Sequence, residues 1–281
     1  MAFKIKTVDY LKDDAPNQFV SSLKSTGFAV LKNHPIDNDL VKEVYSDWEN
    51  FFDSSAKNNY LFHKEKQDGY FPFKSENAKG HDKKDLKEFY HIYPWGRYPV
   101  EIGDSTQLLY DFLLQIGEEL LSWIDDSCPA HISKKFSVPL ADMFEDSDEN
   151  LLRIINYPPL KDNNTHGAIR AQEHEDINLI TLLVAATQPG LQVKDTKGKW
   201  INVKSNPGYL IINIGDMLQE CSGGYFPSTP HRVINPKGKD MHKARLSMPL
   251  FVHPSEDIKL SDQHTAKSYL DERLQEIGLK V

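Results

Sequence analysis

Two short stretches of this 281-residue chain carry side chains that could hold a metal ion. The first is Gln172-Glu173-His174-Glu175-Asp176, which leads straight into an apolar-rich run from Ile177 to Thr187. The second is Ser228-Thr229-Pro230-His231-Arg232-Val233, with His231 fifty-seven residues after His174. In an extended strand, residues i and i+2 point to the same face, so His174 and Asp176 project together, about 7 Å apart along the strand. One straight segment cannot reach three facial positions of an ion, so a third ligand has to arrive from a distant strand, and His231 fits that role. Fourteen residues further on comes Arg245-Leu246-Ser247. A guanidinium and a hydroxyl two residues apart on one strand face suit an anionic ligand.

A lone His-x-acid pair is weak evidence. With 11 His and 41 acidic residues, chance supplies about 1.6 such pairs. One decoy is present, His63-Lys64-Glu65, but it sits among Phe62, Lys66 and Gln67, with neither a strand after it nor a matching distal His. His174, Asp176 and His231 differ because the features around them agree. Two imidazoles and one carboxylate on one face leave three positions open, the donor arrangement of non-haem Fe(II) oxygenases. The same ligands bind zinc, but zinc more often takes three His, or His with Glu or Cys, and the Arg245/Ser247 pair would then lack a purpose.

The elements that must position these groups follow from composition and periodicity. Apolar content of 39% with 26% charged residues is that of an ordinary globular chain long enough to bury a core. A net charge of −8 argues against nucleic acid as the default partner while leaving room for small anions held by one buried Arg. Two cysteines, Cys128 and Cys221, make no disulfide framework and point to a reducing compartment. The N-terminus lacks the apolar core of a secretory leader and no run approaches 18 apolar residues, so a cytoplasmic protein with no membrane contact is expected.

Helices are expected over residues 16–25, ended by Gly27, over 37–52 with Asp37 as cap, over 104–126, and over 265–277. The apolar stripe of the long third helix is expected to include Leu108 and Phe112 beside Leu109, Leu113, Ile116, Leu120, Leu121 and Ile124. Residues 54–100 read as irregular and rich in aromatics, and 129–144 as helical or mixed. From Leu151 the pattern changes to short apolar runs at 151–157, 177–187, 191–193, 200–203, 209–214, 217–220, 231–235 and 244–252. About eight strands at this spacing argue for a jelly roll or a sandwich.

The ordered set Pro189-Gly190-Leu191-Gln192-Val193, Gly198-Lys199-Trp200, Pro207-Gly208-Tyr209-Leu210-Ile211, Gly215-Asp216-Met217 and Ser228 to Val233 resembles the 2-oxoglutarate/Fe(II)-dependent oxygenases, in particular their isopenicillin N synthase-like branch. Arg153-Ile154-Ile155-Asn156-Tyr157-Pro158-Pro159 resembles the strand before the metal motif, and Gly27 to Ile36, Gly69-Tyr70 and Asp85 to Glu88 resemble the N-terminal module. The likeness runs from about residue 5 to 254. It implies an α+β fold: a double-stranded β-helix (jelly-roll) core at 151–254 holding the iron and 2-oxoglutarate sites, an N-terminal helical module at 1–150 packed on it, and a C-terminal helix at 255–281. Two departures stand out. Asn156 is displaced by one from the family's Asn-x-Tyr, and the interval from His231 to Arg245 is a few residues longer than usual, the extra length falling in a turn at Pro236 to Asp240.

The resemblance implies an oxidoreductase in which His174, Asp176 and His231 hold Fe(II). 2-Oxoglutarate chelates the iron through its C1 carboxylate and keto oxygen, and Arg245, Ser247 and Tyr157 grip the far carboxylate. O2 takes the last position, and succinate and CO2 are released as a small molecule is oxidised, by hydroxylation as the first expectation. Asp176 argues against halogenation, which needs that position vacant. Three alternatives stay open: an iron oxidase of the same branch that does without 2-oxoglutarate, a non-catalytic metal- or small-molecule-binding jelly roll, and a zinc enzyme using the same ligands. Tyr70, Tyr90 and His91, in the long aromatic segment, are the expected substrate contacts, since such pockets are apolar with a few placed polar groups. His166 is a further candidate to approach the site. The sequence is silent on the primary substrate and on oligomeric state.

Overall fold

The computed structural model describes residues 3–76, 83–145, 147–160 and 167–276. In chain order the elements are β1 (Thr7–Asp9), α1 (Ala15–Thr26), β2 (Phe28–Lys32), α2 (Asn38–Asp53), β3 (Gly69–Phe71), β4 (Glu88–Ile92), α3 (Ser105–Ser127), α4 (Ala130–Ser133) and β5 (Leu151–Tyr157). Then follow β6 (Ala171–His174), β7 (Ile180–Val184), β8 (Leu191–Lys194), β9 (Trp200–Asn202), β10 (Tyr209–Ile214), α5 (Asp216–Cys221), β11 (His231–Val233), β12 (Arg245–Ser247), β13 (Pro249–Val252) and α6 (Ala266–Glu276).

Local signals set several helix ends. The Asp37 carboxylate accepts the Asp39 N–H and caps α2. Gly27 ends α1 in the left-handed region (φ 67°), its N–H reaching the Leu23 carbonyl. The long α3 buries Leu109, Leu113, Ile116, Leu120, Leu121 and Ile124, while Leu108 and Phe112, expected on the same stripe, lie at its rim and are exposed.

The strands form two sheets. The large one runs β1-β2-β10-β7-β13-β5-β4-β3, with β12 also on β5, and the small one runs β6-β11-β8-β9. Between them lies an apolar layer that includes Phe28, Phe71, Phe89, Ile155, Leu183 and Ile211 from the large sheet and Ala171, Leu191, Val193 and Val233 from the small one. A second, larger core fills the space between the other face of the large sheet and the helices. Two sheets face to face with helices on one outer side make the expected α+β jelly roll, a double-stranded β-helix. Residues before 150 contribute β1 to β4 to the large sheet, so the N-terminal segment and the 151–254 segment share one hydrogen-bonded layer.

The structure corrects three expectations. Residues 217–220 are helical, in α5, not a strand: the chain turns at Gly215, where a Cβ would fall 2.1 Å from the Asn178 carbonyl, and Asp216 opens the helix. The irregular segment 54–100 holds β3 and β4; every residue of β4 is buried, so no polar/apolar alternation marks it. The run 244–252 is split into two strands, with β12 pairing β5 and β13 pairing both β5 and β7.

Gly27 also lies under the segment leading to His231. A Cβ there would meet Thr229 Oγ1 at 2.3 Å and the Pro227 carbonyl at 2.5 Å. Gly27→Ala combines this clash with a positive φ and is expected to lower stability by at least about 2 kcal/mol in urea unfolding.

Candidate metal centre and anion pocket

Strand pairing builds the metal-ligating group. β11 runs antiparallel to β6 with His231 opposite His174, and the two ring centroids are 4.3 Å apart. His174 directs Nδ1 to the Gln172 carbonyl (2.7 Å) and His231 directs Nδ1 to the Thr229 carbonyl (3.2 Å), so both Nε2 atoms are free to face one point. Asp176, just past the end of β6, sets Oδ1 3.9 Å from His174 Nε2 and 3.7 Å from His231 Nε2. One ligand atom from each residue lies within 4.8 Å of the others.

The large sheet holds the carboxylate. Asp176 Oδ2 accepts from Thr181 Oγ1 on β7 (2.6 Å) and from Asn213 Nδ2 on β10 (2.8 Å). Burial by itself would raise the Asp176 pKa, but His231 and His174, then Thr181 and Asn213, overcome it and hold the group low. Burial and the neighbouring His231 push His174 down to about 4. A neutral His174 imidazole beside an ionised Asp176 carboxylate is the protonation state that a divalent cation requires of these groups. The donor set, its convergence and its hydrogen-bonded outer partners therefore fit an iron ion. Thr181 and Asn213 escaped the sequence reading; a polar residue inside an apolar strand was the available signal.

The sequence-predicted anion group lies inside the same sandwich. Arg245 and Ser247 are both buried and share a face of β12, paired to Tyr157 and Ile155 of β5. Arg245 donates Nε to the Gln188 carbonyl (3.0 Å), its guanidinium lies 5.1 Å from the Tyr157 ring centre, and Nη1 has no hydrogen-bond partner among the described residues. Burial lowers the Arg245 pKa, opposed by Tyr157 and Tyr45. A buried guanidinium with a free donor is set to accept a carboxylate.

A second polar group approaches the ligands from β4 and β5. His91 points Nδ1 at the Gln67 carbonyl (2.7 Å) and meets Arg153 Nε with Nε2 (2.8 Å), so Nδ1 carries the proton and Nε2 accepts. Burial and Arg153 keep His91 well below the usual imidazole pKa. Arg153 lies over Phe89 (4.7 Å) and Phe251 (5.5 Å), and Phe251 is paired with Thr181, the residue that braces Asp176. Lys87 bridges Glu76 (2.7 Å) and Asp85 (3.0 Å), and Asp85 accepts the Gln172 N–H at the start of β6. Burial would raise the Glu76 pKa, but Lys87 and Arg153 hold it far below the usual range.

Tyr70 and Tyr90, grouped with His91 as substrate contacts, point elsewhere. Alternation along β4 puts Phe89 and His91 on the inner face and Glu88 and Tyr90 on the helix face. Tyr90 packs against Trp48 and Phe51 and donates to the Arg97 carbonyl, while Tyr70 bonds Glu88 and packs on Phe52. The decoy His63 is exposed and accepts the Glu65 and Lys66 N–H groups in a turn. His166 lies outside the described residues. Cys221 is buried, which raises its thiol pKa and makes it an inert packing residue.

Residues 149–254 match the 2OG-Fe(II) oxygenase superfamily, and residues 6–106 match the non-haem dioxygenase in morphine synthesis N-terminal family. A putative oxygenase from Shewanella oneidensis is 51% identical with a TM-score of 0.89, the match covering 98% of this chain and 99% of that one. A putative 2OG-Fe(II) oxygenase family protein from Caulobacter crescentus is 32% identical with a TM-score of 0.82, covering 97% and 99%. A full-length Neurospora crassa protein, solved in complex with alpha-KG and 5-formyluracil, is 26% identical with a TM-score of 0.77, covering 96% and 95%.

The ligand group makes a direct prediction. His174→Ala, Asp176→Ala and His231→Ala should each abolish iron retention by the folded protein in a metal-content assay, whereas His63→Ala should retain it. Thr181→Val should weaken iron by about tenfold or more, through loss of the bond that orients Asp176.

Proposed function

Because the chain belongs to the 2OG-Fe(II) oxygenase superfamily and is a 2-oxoglutarate-dependent dioxygenase using Fe(II), 2-oxoglutarate and O2, we propose that it oxidises, most simply by hydroxylation, a small polar molecule at the His174–Asp176–His231 centre. The observation that carries this reading is the convergence of two Nε2 atoms and one carboxylate oxygen within 4.8 Å, beside a buried guanidinium with a free donor. When bound, iron with 2-oxoglutarate and O2 supplies the oxidising power, coupled to release of succinate and CO2.

The residues have distinct tasks. His174, Asp176 and His231 hold the iron, with Thr181 and Asn213 fixing which Asp176 oxygen faces it. Arg245 meets the far carboxylate of 2-oxoglutarate with a donor fork that an ammonium could not match, and Ser247 and Tyr157 add hydroxyl contacts. Arg153, His91, Glu76 and Lys87 face the substrate. With Asp85 included, the two cations and two carboxylates of this group balance, so a neutral substrate read by hydrogen bonds suits it better than an ion. Arg153 offers donors, Glu76 an acceptor, and Phe89 and Phe251 flat apolar faces. A small ring bearing C=O and N–H groups matches that lining, as does the 5-formyluracil held by the Neurospora protein. Among the described residues no helix is long and apolar enough to cross a membrane, and Cys128 and Cys221 are free thiols, in keeping with a reducing, cytoplasmic setting.

The experiment is a screen of small polar ring compounds for accelerated succinate release by the iron-loaded enzyme. A panel that leaves succinate release at its basal rate speaks against the ring-compound class. Arg245→Ala should raise the 2-oxoglutarate requirement by at least about a hundredfold, and Arg245→Lys should fall between it and the parent, with iron content unchanged in both. Parent-like 2-oxoglutarate binding by Arg245→Ala places the anchor elsewhere. Arg153→Leu should leave 2-oxoglutarate affinity within about threefold while removing substrate-stimulated turnover, since its loss touches only the substrate side.

A further inference from the structure

A second arginine lies buried beside Arg245. Arg170, the residue before β6, is fully buried. Its Nη2 donates to the Lys243 carbonyl (3.0 Å), and neither Nε nor Nη1 finds a partner among the described residues. The guanidinium lies 5.8 Å from the centre of the Tyr157 ring, the same ring that Arg245 faces at 5.1 Å. Burial first and then the charge of Arg245 lower the Arg170 pKa to about 10, against the opposing effect of Tyr157. Two buried cations thus share one aromatic ring, with three donor nitrogens unsatisfied among the described residues: Arg170 Nε, Arg170 Nη1 and Arg245 Nη1.

Such an arrangement is costly unless an anion joins it, because each guanidinium has left water and the two repel. Elsewhere in the sandwich the chain avoids that cost, as where Lys87 is bridged by Glu76 and Asp85. The position of Arg170 is also specifically supported. Lys243 closes the turn that makes the His231–Arg245 interval long, and that turn packs against the segment leading to Arg170 through Leu160 N–H to the Met241 carbonyl (2.8 Å).

We propose that Arg170 and Arg245 together clamp the far carboxylate of 2-oxoglutarate, a clamp that rests on the reading of Arg245 as cosubstrate anchor. A carboxylate has lone pairs for two guanidiniums, and its charge removes the repulsion between them. Arg170 is then a second cosubstrate-binding residue, and it makes the enzyme demanding of a dianionic cosubstrate. The ligand-free protein should in turn be strained at this point.

The test is anaerobic calorimetric titration of 2-oxoglutarate into the Fe(II)-loaded protein, with melting temperature read without 2-oxoglutarate. Arg170→Met should weaken 2-oxoglutarate by at least about thirtyfold, leave iron content unchanged, and keep or raise the ligand-free melting temperature. A merely structural arginine would lower both stability and affinity. If Arg170→Met binds within about threefold of the parent while Arg245→Met is weakened about a hundredfold, the clamp is wrong and the Arg245 anchor stands. If both variants bind like the parent, the anchor reading fails and the clamp with it. Should Arg170→Met not fold, Arg170→Gln, neutral but still able to donate to the Lys243 carbonyl, goes through the same titration; parent-like affinity in that variant overturns the clamp.

Discussion

The pairing of β6 with β11 is the constraint on which the rest of the molecule depends. It sets His231 opposite His174, with ring centroids 4.3 Å apart. Side chains alternate with a period of two, so a slip of one residue would turn one imidazole away from the other. The register is held from several sides. β11 also pairs β8, and Ala171, Val193 and Val233 project from these strands into the apolar layer between the sheets. The third ligand ties this small sheet to the large one, because Asp176 is oriented by Thr181 and Asn213 on β7 and β10. The metal group therefore exists only when the sandwich is closed, and its rigidity derives from the same packing that stabilises the fold.

Charge inside the sandwich is handled in two ways. Toward β4, Lys87, Glu76, Asp85, Arg153 and His91 form a closed network in which each charge meets an opposite one or a hydrogen-bond partner. Such a network can be buried because its opposite charges offset one another, and it leaves polar edges for a neutral guest. Toward β12 the balance is different. Arg170 and Arg245 are buried with carbonyl partners and spare donors, so that end has an unmet need for negative charge. The interior of the sandwich thus has one end whose charges balance and one end with an excess of positive charge.

The large sheet separates two kinds of aromatic residue by strand alternation alone. Phe71, Phe89 and His91 face inward, where they line the space near Arg153. Tyr70 and Tyr90 face outward into the helical layer with Trp48, Phe51 and Phe52. The outer group braces the sheet against the helical layer, so the segment that carries Phe71, Phe89 and His91 is anchored by the larger core.

The ligand residues could be read from the sequence because metal chemistry restricts the side-chain types and because the i, i+2 spacing has one geometric meaning in a strand. The same spacing put Arg245 and Ser247 on one strand face, where the structure also has them, and the helices of the N-terminal segment followed from caps and apolar periodicity at Asp37 and Gly27. Other features were decided only by tertiary structure. β4 is buried on both faces, so its sequence carries no period to detect, and the inward or outward direction of Tyr90 and His91 depends on which neighbours β4 pairs with. Thr181 and Asn213 acquire their role from residues 5 and 37 positions away in the chain. Arg170, read along the chain, is a charged residue before a strand, which ordinarily means a solvated face. Its guanidinium is held by the Lys243 carbonyl, 73 residues on in the chain, a long-range contact that no local pattern encodes.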